Sequence, residues 1–283
     1  MRELLLLFLS SGLLLSGSTR IDVLTSTIVA KTEASATIEA EEMQHFALQD
    51  NVANRRYKRI LQNRAEHFKA IYDKPKIHPA VDKEDILMKH RIIASEVLYK
   101  MPLRCQDNLK NFYVRYDNPE HRGLGGVSTI ILTGGVGDDE FRALFIHEFG
   151  HMVDLGCLKG TVATGLSIYK DGDQVMYNDD PSVSFYAISW KDNETHHDGI
   201  TNRDFVSGYS NWDMFEDFAE SFTYYTLHRR AFYNRALENP IMAQKYNWFV
   251  RNLSDLRIST QTKHVWEGTI PWDSTKLAYN WLK

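Results

Sequence analysis

The chain has 283 residues, 43% of them hydrophobic and 25% charged, and its 33 Lys and Arg against 37 Asp and Glu give a formal net charge of −4. This is ordinary globular composition, with length for one or two domains. The acids outnumber the bases and no long basic run occurs, which argues against a nucleic-acid partner.

Residues 1–18 read as a secretory signal. Arg2 precedes the apolar run Leu4–Leu9, which resumes through Leu15, and Ser16, Gly17 and Ser18 are small residues at plausible cleavage positions. The run is short for a membrane span, and no Cys stands near the cleavage site to carry a lipid. The expected product is secreted and extracellular, with no stable membrane span after signal cleavage; the alternative is an uncleaved N-terminal membrane anchor. Small polar residues over 19–40 form a linker.

Residues 41–102 read as an N-terminal helical region packed on the core. Phe46, Tyr57, Ile60, Leu61, Phe68, Ile71 and Tyr72 trace an apolar stripe through Glu41–Lys74. Asp82 can cap a second helix running to about Lys100, with Ile86, Leu87, Ile93, Ala94, Val97 and Leu98 buried and Pro102 as its stop. Residues 103–283 hold the chemistry. Asn111–Tyr116 and Val127–Leu132 are strand candidates for a small mixed β-sheet. After Gly134–Gly137, Asp138 is placed to cap a helix whose first turn carries Asp139 and Glu140.

That helix contains His147-Glu148-Phe149-Gly150-His151, an H-E-x-x-H motif within an apolar run. Residues four apart share one helix face, so both imidazoles can hold one Zn²⁺ while Glu148 reaches a metal-bound water. The chemistry indicated is metal-assisted hydrolysis. A third protein ligand is needed. Six residues after His151, where some zinc peptidases place a third His, stands Cys157, and Asp154 replaces their Gly, so that pattern is absent. The two cysteines, Cys105 and Cys157, are either a disulfide or two buried free thiols.

Farther on, Ser184–Trp190 is apolar and aromatic and reads as a core strand, with lining of a substrate cleft as the alternative. His196 and His197 lie in a polar loop and read as surface residues. A helix is expected from about Trp212, with Phe215, Phe218, Ala219 and Phe222 on one buried stripe. Glu216 and Glu220 are four apart beside that stripe. In isolation such a pair reads as a solvated face; next to an upstream H-E-x-x-H, one carboxylate can bind the metal while the next orients a ligand imidazole. The tail after Leu227 is helical in character, and Trp266, Trp272 and Trp281 read as packing anchors.

The pair H-E-F-G-H and E-D-F-A-E-S-F, over residues 125–230, resembles the zincin metallopeptidases of the gluzincin type, in particular the group of the anthrax lethal factor catalytic domain and the Pro-Pro endopeptidases. The resemblance implies a zincin-like α+β fold, mostly helical, with a small mixed sheet over the motif helix. It implies Zn²⁺ on His147, His151 and Glu216, Glu148 as general base, Tyr209 (seven residues before Glu216) as a catalytic hydrogen-bond donor, and Glu220 as the acid behind His147. In zincins a sheet-edge strand also binds the substrate in extended form. Residues 152–215, between His151 and Glu216, are longer than in that group. The function expected is a secreted zinc metallopeptidase, with a peptide or protein as substrate. The alternatives are a catalytically silent zinc-binding adhesion module and a zinc hydrolase of cell-wall peptide cross-links.

Overall fold

The computed structural model describes residues 76–258 and 260–282, so the expected signal, the linker and the amphipathic helix over 41–74 lie outside the described residues. The described part belongs to one compact unit, Pro75–Lys283. It is of the α+β class. Its first helix, α1 (Met88–Leu98), starts later than an Asp82 cap would place it. Asp82 instead pairs with Arg91. Ile86, Ile93, Ala94, Val97 and Leu98 are buried as the periodicity requires, but Leu87, at the N-cap, is exposed. A single turn, α2 (Leu103–Gln106), follows Pro102.

The sheet has three strands, β1 (Asn111–Arg115), β2 (Gly123–Gly125) and β3 (Thr129–Thr133), in the order β1-β3-β2. β1 and β3 are parallel, with Phe112 opposite Ile130; β2 pairs antiparallel with β3 and forms an edge. Phe112, Ile130 and Leu132 point into the core. Across from them runs α3 (Asp138–Met152), the motif helix, with Phe145 edge-on to Phe112 at 5.4 Å. The cap of α3 is Gly137, not Asp138. Asp138, Asp139 and Glu140 occupy the first turn, where their negative charges meet the positive end of the helix dipole. From Phe141 to Met152 every residue of α3 is buried, so this is a central helix rather than an amphipathic surface one.

After α3 the chain makes a π turn, Val153–Cys157, tied to α2 by a Cys105–Cys157 disulfide with a Cα–Cα distance of 5.2 Å. The following segment contains a hairpin of β4 (Leu166–Asp171) and β5 (Gln174–Tyr177) and the short helix α4 (Pro181–Tyr186). The strand expected over Ser184–Trp190 is therefore a helix end and a turn. Pro181 at the first helical position and Asp180, whose carboxylate accepts from the Ser182 N–H, start a helix there. Its aromatics are core: Phe185, Tyr186 and Trp190 are all fully buried. His196 is partly buried against Trp190, with ring centroids 4.3 Å apart, so it is a packing residue and not the surface residue expected.

The second long element of the site is α5 (Met214–Leu227), capped by Asp213, which accepts from the Phe215 and Glu216 N–H groups. α5 is followed by α6 (Arg229–Glu238) and α7 (Pro240–Asn252), then by a small antiparallel pair, β6 (Thr260–Thr262) and β7 (Tyr279–Trp281). Phe218 packs between Phe185, Trp248 and Phe249 at centroid distances of 5.2–5.6 Å. Asp217 and Lys245, both wholly buried, form an ion pair at 2.7 Å, and the Trp190 indole donates to the same carboxylate. Removing either charged partner would leave a buried charge unmatched. Of the three late tryptophans, Trp266 and Trp281 serve as anchors, stacked under Arg235 and Arg142 at 4.1 and 5.0 Å. Trp272 does not: it is 68% exposed.

Candidate metal centre

α3 and α5 approach closely because Gly150 lies between them. A Cβ on Gly150 would sit 3.1 Å from Ala219 Cα and 3.2 Å from the Phe222 ring. One x of the H-E-x-x-H motif is thus the contact that brings the two helices together. As a result His147, His151 and Glu216 present ligand atoms that all lie within 4.8 Å of one another. The two imidazole Nε2 atoms stand 3.2 and 3.6 Å from Glu216 Oε2. Donor atoms around a tetrahedral zinc, with bonds near 2.1 Å, are separated by about 3.3–3.4 Å.

The protonation pattern indicates what fits between them. His147 Nδ1 is 3.0 Å from Glu220 Oε1. With its proton on Nδ1, His147 turns the Nε2 lone pair toward Glu216, whose Oε2 is buried and has no properly directed hydrogen bond. Lone pairs of two imidazoles and a carboxylate that converge in a buried place repel unless a cation or protons stand between them. Burial disfavours charge on His147, but Glu216 and Glu220 outweigh it and raise its pKa well above the ordinary imidazole value; Glu216 does the same for His151. Glu216 is shifted the other way: burial opposes its charge, and the two imidazoles still hold its pKa far below the carboxylate range. A divalent cation would take the place of those protons.

Glu220, wholly buried, is itself held in place. Its Oε2 accepts from the Ser207 hydroxyl and from the Ser274 N–H at 2.8 Å. Tyr209 directs its hydroxyl to Glu216 Oε1 at 3.1 Å. Burial and the neighbouring Glu216 raise its pKa, so it remains a neutral donor. Glu148 is almost enclosed. Burial raises its pKa, and the nearby His147 and His151 lower it. Its carboxylate lies directly under β2: a Cβ on Gly123 would come within 2.0 Å of Glu148 Oε1. With glycine at 123 the edge strand leaves the Glu148 carboxylate where it stands.

The segment 271–276 completes the surroundings. Pro271 and Trp272 carbonyls accept from the Gly208 and Tyr209 N–H groups at 2.8 Å. Asp273 pairs with Arg122, next to β2, and Arg122 also reaches Glu140 on α3 at 2.9 Å. Ser207 and Ser274 stand 13 and 54 residues from Glu220 and Arg122 stands 151 from Asp273, so none carries a local sequence signal. The glycines Gly123 and Gly125 did offer one: alternate glycines in a strand mark a close approach on one face. Cys157, in its disulfide, has no thiolate to offer a metal.

The chain therefore contains a His147–His151–Glu216 triad, its histidines buried and Glu216 partly so, suited to a metal ion, with Glu148 and Tyr209 at its border and Glu220 behind it. Comparison with family models, with curated proteins and with solved structures gave no match.

Proposed function

We propose that the chain is a secreted zinc-dependent metallopeptidase of the zincin type. One observation carries the reading: two imidazole nitrogens and a carboxylate oxygen converge at zinc-ligand separations, with a buried carboxylate one residue along α3 and a neutral phenol beside them. His147, His151 and Glu216 would hold a zinc ion, which when bound would supply Lewis acidity toward the scissile carbonyl and lower the pKa of water to about 7. Glu148 takes the proton of the attacking water and passes it toward the leaving amine; its raised pKa suits both duties. Tyr209 donates a hydrogen bond to the oxygen that gains charge. Glu220, fixed by Ser207 and Ser274, holds the Nδ1 proton of His147 and keeps its Nε2 facing the metal. β2 is an edge strand above Glu148, so an extended peptide can add to it by main-chain pairing and bring its carbonyl to the site. The disulfide agrees with an oxidising, extracellular setting.

The test is digestion of a diverse peptide library by the zinc-loaded protein beside a Glu148→Gln variant with equal zinc content. Cleavage by the parent alone is expected. Cleavage that survives in the variant, or no cleavage by a parent carrying one zinc, overturns the proposal.

A further inference from the structure

Trp212 and Trp272 are the most exposed aromatic side chains among the described residues. Trp190 and Trp248 lie in the core and donate their indole N–H groups to Asp217 and to Ser184. Trp212 and Trp272 are 67% and 68% exposed. A single exposed apolar residue needs no explanation. Two tryptophans beside the same functional residue do, because each leaves a large apolar surface in water.

Both are attached to Tyr209. The Trp212 ring stands 6.1 Å from the Tyr209 ring, at 70° to it. Trp272 lies against the backbone of Gly208: a Cβ there would be 2.7 Å from its six-membered ring. The Trp272 carbonyl accepts from the Tyr209 N–H at 2.8 Å. Tyr209 in turn reaches Glu216 at 3.1 Å. Both indoles thus stand next to Tyr209, at the border of the triad. Gly208 leaves the space that lets Trp272 lie there.

We propose that Trp212 and Trp272 form an aromatic subsite that binds apolar or aromatic side chains of the peptide substrate, close to the bond cleaved. This deepens the peptidase reading and rests on it. An extended peptide advances about 3.3 Å per residue. Rings this close to Tyr209 therefore stand within a few residues' length of a carbonyl held at the triad. Two indoles favour flat or bulky apolar groups and offer a carboxylate side chain no partner.

The experiment uses zinc-loaded Glu148→Gln protein, in which peptides bind without turnover, with Trp212→Ala and Trp272→Ala added singly. Equilibrium binding is measured for matched peptides that carry Phe, Leu, Ala or Glu at positions flanking the centre. The expected result is a loss of about tenfold for Phe and Leu peptides in each variant, with Ala and Glu peptides unchanged and one zinc retained. In the parent background the same preference should appear in KM. Equal loss for all four peptides, or no loss for any, overturns the subsite. Selective binding that depends on both tryptophans, in a parent that cleaves nothing, keeps the subsite and overturns only the peptidase reading.

Discussion

Gly123→Ala separates the position of Glu148 from everything else at the site. The added Cβ would lie 2.0 Å from Glu148 Oε1 and 2.7 Å from its Cδ. Ordinary contact begins near 3.5 Å, so the carboxylate must retreat by about 1.5 Å. A misplacement of about 1 Å can cost about 10²-fold in rate. The expected fall in kcat/KM is therefore about 10²-fold or more, or about 3 kcal/mol of transition-state stabilisation. The clash is with the far end of a side chain, so the thermal midpoint should move little. Zinc affinity should not change, because Glu148 is outside the triad. Gly125→Ala differs: its Cβ would sit 2.6 Å from the Glu148 backbone oxygen, which cannot swing aside. That variant should lose about 1–3 kcal/mol of stability. Peptide-cleavage kinetics, zinc titration and denaturant unfolding on the same preparations decide the matter. Full activity in Gly123→Ala, or zinc lost in step with activity, would refute this account of β2.

Glu220→Ala removes the acceptor of the His147 Nδ1 proton, and zinc affinity should fall about 10- to 100-fold in a competition titration with a chelator. Tyr209→Phe should keep the zinc and lower kcat by about 10²-fold, read by steady-state kinetics. The Cys105–Cys157 disulfide closes a loop with a sequence separation of 52 residues, so Cys105→Ser/Cys157→Ser should cost up to about 4 kcal/mol in denaturant unfolding. Asp154, wholly buried beneath the Tyr186 hydroxyl, has its pKa pushed up by burial to about 7 from an ordinary 3.8. Between those values the folded chain holds a proton that the unfolded chain has released, so this group lowers stability as pH rises from about 4 to 7. Asp154→Asn should flatten that part of the stability–pH curve, measured by chemical unfolding at several pH values; an unchanged slope would refute the assignment.

How much of this was legible beforehand depends on the range of each contact. The spacing of His147 and His151, and that of Glu216 and Glu220, is local: 3.6 residues per turn places each pair on one helix face whatever the rest of the chain does. The capping of α5 by Asp213 is equally local. The strand expectation for Ser184–Trp190 failed because aromatics suit a buried helix end as well as a strand, and Asp180-Pro181 starts a helix there. By itself the sequence determined the α+β content, the two helix-borne motifs and the residues able to hold a metal.

Only tertiary structure decided which atoms meet. His147 finds Glu220 at a separation of 73 residues, and Glu220 finds Ser274 at 54. The cysteines could be paired only once their Cα atoms stood 5.2 Å apart. Trp272, equal to Trp266 and Trp281 as an expected anchor, came to lie exposed beside Tyr209. Local periodicity fixes the face of a helix; what that face meets is set by the close approach of elements far apart in the chain, here α3 to α5 at Gly150 and β2 to Glu148 at Gly123.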